Sequence, residues 1–147
     1  MGKPNGKRVN KKSAFFDPLI ERYNGDIFKA PERILINKMP VLVNDIVKGR
    51  VPYNKYGKYF TREFIYLLAS HIITSYNNAV KEYDKSLVYS MIYPANSSAN
   101  IDVIKWGQIV QAYTTLNGAV RKLHATGNVE EFLKLVPAQM TNFKNML

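Results

Sequence analysis

The chain has 147 residues, 46% of them hydrophobic and 22% charged, a balance typical of one globular domain rather than of a disordered chain. It contains no cysteine, which excludes disulfide bonds, thiolate metal sites and cysteine nucleophiles. The formal net charge is +10, which indicates a surface that attracts anionic partners.

The positive charge is concentrated in two short segments that contain no acidic residue. The first is residues 1–12, and the second is residues 48–62, hereafter the basic segment. Each carries five basic residues, so the rest of the chain, with 11 basic and 11 acidic residues, is neutral. These basic residues are Lys3, Lys7, Arg8, Lys11, Lys12, Lys48, Arg50, Lys55, Lys58 and Arg62. We predict a mobile basic arm over 1–12 and a single helical domain over 13–147.

The N-terminal residues are not followed by an apolar stretch, which argues against a secretory signal. No apolar run approaches the roughly 18 residues that a membrane helix needs. We therefore expect no contact with a membrane.

The first predicted element is a short helix. Asp17 is expected to cap it, with Pro18 at its first position and Asn24-Gly25 at its end. The sequence pattern is typical of a helix bounded at both ends.

Residues 31–49 allow two interpretations. Pro31 and Pro40 can each begin a short helix, the first ending at Asn37 and the second at Gly49. The alternative is a small β-hairpin over 33–43, because 34–36 and 41–43 are both apolar runs. Two helices are the favoured interpretation.

A long helix is predicted to begin after Thr61 as N-cap and to run to about Asp84. Residues 86–93 either extend it or form a strand. Its apolar stripe is Phe64, Leu67, Leu68, His71, Ile72, Ser75, Tyr76, Ala79, Val80 and Tyr83.

A second long helix is predicted from Asp102 as N-cap to a stop at Gly127, with residues 94–100 as a surface loop. Asn128 should then cap a shorter helix, with Glu131 completing a capping box and Pro137 interrupting it. The apolar stripe of the long helix is Trp106, Ile109, Val110, Tyr113, Leu116, Val120 and Leu123.

Two glycines lie inside this second long helix, at Gly107 and Gly118. They are eleven residues apart, close to three turns, so they should share one face of the helix. One hypothesis is that another backbone approaches closely there; the other is that packing tolerates both glycines.

Candidate catalytic groups are few. His71 and His124 are the only histidines, and a paired-histidine nuclease is a weak alternative in which they act as acid and base. The carboxylates are scattered, and neither a phosphate-binding loop nor a nucleophile motif is present. We predict a protein that is not an enzyme and that uses no cofactor or metal.

The basic segment interleaves cations with Tyr53, Tyr56 and Tyr59. Cations bind phosphates and aromatic rings stack on bases, so the segment is a hypothetical nucleic-acid contact. Tyrosine and arginine are also enriched at protein interfaces, and an ordinary surface loop is a third interpretation.

The asparagine-, tyrosine- and lysine-rich composition and the helices "TREFIYLLASHIITSYNNAVKEYD" and "DVIKWGQIVQAYTTLNGAVRKLHATG" resemble small structural proteins of tailed bacteriophages. The closest resemblance is to helical adaptor subunits that form rings between portal and tail. It implies a non-enzymatic subunit of a homo-oligomer, contacting other structural proteins, in the virion or in the host cytoplasm during assembly. It also implies that the basic segments reach a neighbouring subunit or packaged DNA.

We therefore predict a mainly α-helical bundle with two long antiparallel helices. The leading functional hypothesis is a structural assembly protein, with Tyr53, Tyr56 and Tyr59 as interface anchors and Arg50 and Lys55 pairing with charges. The alternative is a small basic DNA- or RNA-binding protein that uses the same residues.

Overall fold

The computed structural model describes residues 12–146, apart from the side chain of Ser97. The predicted contacts Lys3, Lys7, Arg8 and Lys11 lie outside the described residues. Within them the chain is helical and contains no strand. The helices are α1 Phe16–Arg22, α2 Glu32–Asn37, α3 Met39–Val47, α4 Tyr53–Tyr56, α5 Arg62–Ile92, α6 Ser97–Thr126 and α7 Val129–Gln139, with 3₁₀ turns at Ile27–Lys29 and Gly57–Tyr59.

All seven α-helices contribute to one hydrophobic core. The amino-terminal half of α5 and the carboxyl-terminal half of α6 enter it, and the short helices pack around them. The prediction of a mainly helical protein with two long packed helices is confirmed.

The β-hairpin considered for residues 33–43 is wrong, because α2 and α3 occupy this stretch. Pro40 lies in the first turn of α3, where the amide hydrogen that proline lacks has no partner within the helix. Leu35, Met39, Leu42 and Val43 are buried, so the apolar residues follow the helical period after all.

The start of α1 also differs from the prediction, since Asp17 lies inside the first turn. Ser13 caps the helix instead. Its Oγ accepts a hydrogen bond from the amide of Phe16 at 2.9 Å, and its carbonyl accepts one from the amide of Asp17 at 3.2 Å. The stop is as expected, with Asn24 and Gly25 both at positive φ. The carboxylate of Asp17 is consequently available for a contact elsewhere.

Both long helices are longer than predicted. α5 begins at the expected cap, where Thr61 Oγ1 accepts the amide of Phe64, but it continues past Asp84 to Ile92. α6 begins not at Asp102 but directly after Asn96, whose side chain accepts two backbone amides. The stretch considered a strand is therefore helix, and the expected loop over 94–100 is only a tight turn.

The ends of α6 and α7 show the predicted signals. Gly127 adopts the left-handed conformation with φ +70°, and Asn128 Oδ1 accepts the amide of Glu131 at 3.1 Å. Pro137 does not interrupt α7, which continues to Gln139. Because this proline lies near the end of α7, the one backbone hydrogen bond it removes is tolerated.

The two long helices run antiparallel. Ser90 Oγ donates to Asn100 Oδ1 at 2.6 Å near the turn, and Tyr83 lies beside Gly107 further along. Among the described residues, none from 73 to 111 belongs to the hydrophobic core. This part of α5 and α6, hereafter the hairpin arm, extends about 30 Å beyond the core.

Candidate docking surfaces

The basic segment begins at the end of α3, where the chain reverses. Gly49, at φ +74°, donates its amide to the carbonyl of Ile46 at 3.1 Å, and Arg50 donates its amide to the carbonyl of Asp45 at 2.8 Å. This pair of bonds is a Schellman motif, which requires the left-handed conformation that glycine adopts readily. The motif returns Arg50 to the side of α3 that carries Asp45.

Asp45 is fully buried and links the start of the described chain to α3. Its Oδ2 accepts the hydroxyl of Ser13 at 2.8 Å and the amide of Phe15 at 2.9 Å. The guanidinium of Arg50 lies 3.8 Å from Oδ1, too far for a hydrogen bond, so it balances the charge without a direct bond. Arg50 therefore pairs with a carboxylate of its own chain, whereas the sequence predicts that it pairs with a charge on a partner.

Tyr56 and Tyr59 are part of the core rather than of the surface. Tyr56 is 0% exposed, and its ring stacks on Phe16 with 4.8 Å between ring centres. Its hydroxyl donates to Asp17 Oδ1 at 2.6 Å, and burial together with this bond raises the pKa of Tyr56. The hydroxyl of Tyr59 donates to the carbonyl of Gly25 at 3.1 Å.

This burial corrects the expectation that three tyrosines are available to a partner. Only Tyr53 remains half-exposed, with its ring against Gly57. A side chain at Gly57 would clash with that ring, so the glycine permits the close contact. Single-strand binding relies on successive aromatic faces, and the basic segment presents one.

The basic residues of the basic segment, which are predicted to contact a partner, differ in their exposure. Lys48, Lys55, Lys58 and Arg62 are exposed, whereas Arg50 is half-buried beside Asp45. Lys55 and Lys12 line one groove with Asp17 and Glu21, so acidic groups accompany them. The surface is therefore less uniformly positive than its sequence suggests.

The two histidines lie on different long helices. His71 is half-buried on α5, where Ser75 Oγ lies 3.4 Å from its Nε2 and burial lowers its pKa. His124 is exposed near the end of α6. In the antiparallel register set by Ser90 and Asn100, the two are offset by five residues, or about 7.5 Å, along the helices. Within residues 12–146, no three histidine, aspartate or glutamate side chains group as metal ligands would.

The hairpin arm is held together by small side chains. Ala79, Ser86 and Ala99 are buried between the helices, and Gly107 faces Tyr83. Small residues at such a seam let two helices approach closely. Larger apolar residues such as Tyr83 and Trp106 are partly buried, whereas seven others are left more than half exposed.

These outer apolar residues cluster at the tip of the arm, residues 86–104. Seven large side chains there are each more than half exposed, and Met91 reaches 78%. In the remainder of the described chain, Tyr66 alone among the large hydrophobic side chains exceeds one half. The seven are Val88, Tyr89, Met91, Ile92, Tyr93, Ile101 and Ile104.

The turn that joins α5 to α6 is well ordered by side-chain hydrogen bonds. Asn96 Oδ1 accepts the amides of Ser98 at 2.9 Å and Ala99 at 3.2 Å, and Asn100 Nδ2 donates to the carbonyl of Pro94 at 3.3 Å. The rings of Tyr89 and Tyr93 meet edge to face, with centres 5.3 Å apart. The tip is thus a preorganised surface rather than a loose loop.

The two glycines of α6 differ in their surroundings. A Cβ at Gly107 would lie 3.3 Å from Cε1 of Tyr83, whereas at Gly118 it would meet no atom of another part of the described chain within 4 Å. Close approach inside the chain therefore occurs at Gly107 and involves a side chain, not a backbone. An approach of a neighbouring chain at Gly118 stays a prediction.

Sequence reasoning missed the tip, although a signal was present. Residues 86–101 contain no Asp, Glu, Lys, Arg or His, while the chain as a whole is 22% charged. The sequence pattern predicts either a helix extension or a strand over 86–93, followed by a surface loop over 94–100. Its position at the end of a projecting arm could not be seen without the register of the two helices.

No family model matches the chain, no curated protein matches it, and no solved structure matches its fold. The resemblance to phage adaptor subunits therefore stays a prediction. Across the described part of the chain, no helix combines the length and apolar character that crossing a membrane would need. The described helices define an all-α fold with a projecting arm, whose tip exposes apolar side chains and contains one charged residue, Asp102.

Proposed function

We propose that this protein is a non-enzymatic structural assembly protein that attaches to neighbouring protein chains through the tip of its hairpin arm. One observation carries the proposal: seven large apolar side chains at the tip of the arm are each more than half exposed. A helix pair that functioned alone would bury them and place polar groups outside. Large exposed apolar patches on a folded chain are typical of protein interaction sites.

The composition of the tip supports a protein partner. Protein interfaces are enriched in Tyr and Met and depleted in charged residues at their centre. The tip contains two tyrosines, one methionine and four aliphatic residues among its exposed apolar side chains, and Asp102 is its one charged residue. This composition would not favour binding to phosphates, which requires cations.

The assembly that fits the resemblance in sequence is a phage virion, with the protein in an oligomeric ring at the head–tail connector or the tail. Long helices supply the rigid arms that such a subunit needs. The basic arm and the exposed lysines of the basic segment would then face packaged DNA or a neighbouring subunit.

The experiment that tests the proposal is light-scattering mass on a sizing column at low and high salt, with the 260/280 nm absorbance ratio recorded. We expect a discrete multiple of 16.8 kDa that persists at high salt and contains no nucleic acid. A monomer that carries nucleic acid at low salt and releases it at high salt would overturn the proposal in favour of a nucleic-acid-binding protein.

A further inference from the structure

We infer that the partner of the tip is the tip of a second copy of this chain, so that two hairpin arms join end to end about a two-fold axis. This inference rests on the proposed function and names the partner of the same surface. Two-fold contacts are the commonest in homo-oligomers, because one self-complementary patch serves both chains.

The exposed apolar area of the tip is large enough for a weak contact. Seven large apolar side chains, each more than half exposed, leave on the order of 100 Å² apiece, or roughly 700 Å² in total. A standard interface buries roughly 800 Å² on each partner. Because these side chains project from different sides of α5 and α6, a contact between two tips would cover part of this area and would belong to the smaller, weaker class of interfaces.

The charge distribution also favours this contact over others between copies. The basic segment lies at the opposite end of α5 from the tip, because Arg62 begins this helix of 31 residues. Arms joined at their tips and pointing apart would hold the two basic segments about 70 Å or more from each other. This separation far exceeds the Debye length of about 10 Å at 0.1 M salt, so the two basic segments would repel each other little.

The part of the described chain outside the hairpin arm, hereafter the body, offers no comparable counterpart for the tip. Among the described residues outside the tip, every large exposed apolar side chain except Tyr66 is less than half exposed. These side chains are dispersed over several helices. Phe28, Ile36 and Leu135, for example, belong to a 3₁₀ turn, α2 and α7. A tip-to-body contact would thus leave much of the tip uncovered.

The absence of cysteine in the sequence allows a direct test by cross-linking. Ala95→Cys places a single thiol at the exposed turn of the tip, and Asn54→Cys places one on the exposed basic segment as a matched control. Under mild oxidation we expect the Ala95→Cys chains to form disulfide-linked dimers at least roughly tenfold faster than the control, because the contact raises the local thiol concentration. Equal rates for the two variants would overturn the inference.

Charge insertion supplies an independent readout. Met91→Asp with Ile101→Asp should raise the dimer dissociation constant by roughly a factor of ten or more, whereas Ile36→Asp, an exposed site on α2, should leave it unchanged. Circular dichroism of each variant checks that the helices remain folded.

An oligomer that persists in the double variant would overturn the tip-to-tip contact but leave the proposed function intact. Binding of the unaltered chain, and not of the double variant, to phosphatidylcholine vesicles would assign the tip to a lipid surface and overturn the inference. A chain that stays monomeric at every concentration would overturn it as well.

Discussion

At the residue scale, the carboxylate of Asp45 connects three parts of the chain that are distant in sequence. It accepts hydrogen bonds from Ser13 and Phe15, and its charge is balanced by Arg50. A buried carboxylate needs such partners, because an unpaired ion in the interior is costly. The contact joins residues 13–15 to α3.

Replacing Asp45 by Ala should lower the free energy of unfolding by about 2–4 kcal/mol, because two buried donors lose their acceptor and Arg50 loses its counter-charge. Arg50→Ala should cost less, about 1–2 kcal/mol: it leaves the buried carboxylate without a counter-charge, but the guanidinium is 34% exposed and makes no direct hydrogen bond to Asp45. Urea denaturation of both variants measures the difference. Equal losses for the two variants would contradict the assigned roles.

His71 makes stability depend on pH. Burial lowers its pKa in the folded protein, so between that pKa and the ordinary value of about 6.5 the unfolded chain binds more protons. The contribution of His71 to stability is therefore present above about pH 6.5 and is lost as the pH falls. Urea midpoints of the unaltered protein at pH 7.5 and 5.5 should differ more than those of His71→Gln, with Asn77→Gln as the control. An unchanged difference in His71→Gln would refute this role.

At the element scale, the hairpin arm exposes more apolar surface than is usual for a pair of amphipathic helices. Its seam contains Ala79, Ser86 and Ala99, while larger apolar residues such as Met91 and Ile104 lie outside. The small seam brings the helices together, and the outer residues are those that we propose to bind a partner. This explains why a protein with a well-filled body also exposes so much apolar surface at one end.

The two helix glycines offer a matched test of this packing. Gly118→Ala should stabilise the protein by about 0.5–1 kcal/mol, because alanine favours a helix and no atom of the described chain obstructs its Cβ. Gly107→Ala should gain less or lose stability, since its Cβ would press on Tyr83. Thermal unfolding compares the two. A Gly118→Ala variant that folds normally but no longer oligomerises would instead place a neighbouring chain against that glycine.

At the scale of the whole molecule, the basic segment and the apolar tip lie at opposite ends of α5. The basic segment belongs to the body, and the tip is at the far end of the arm. A two-fold contact at the tip closes a dimer, so a ring would require a second, different surface. The exposed lysines of the body and the basic arm are candidates for that contact.

Salt should therefore affect self-association only weakly. The contact between tips is apolar, and the basic segments are far apart. Raising the salt concentration from about 0.05 to about 0.5 M shortens the Debye length to well below 10 Å. This change should leave the dimer dissociation constant unchanged within about threefold. Sedimentation equilibrium at both salt concentrations measures it. Dissociation at high salt would show that charged groups hold the chains together.

Much of the helical architecture follows from local signals in the sequence. Thr61, Gly127 and Asn128 mark helix ends through hydrogen bonds or backbone conformations that involve only neighbouring residues. Charge composition likewise identifies the basic segments and the uncharged run at 86–101 directly. Properties of this kind depend on short-range chemistry, so the sequence by itself determines them.

The candidate site depended on contacts between distant residues. Tyr56 and Tyr59 are buried because Phe16, about 40 positions earlier, packs on their rings, and Arg50 is engaged because α3 returns the chain over Asp45. The apolar residues of the tip are exposed because the register of α5 and α6 places small residues between the helices and carries the turn beyond the core. The sequence gives the type of each side chain, but its burial depends on residues that are distant in the chain. Only the tertiary structure therefore decides which aromatic and apolar side chains remain exposed and available to a partner.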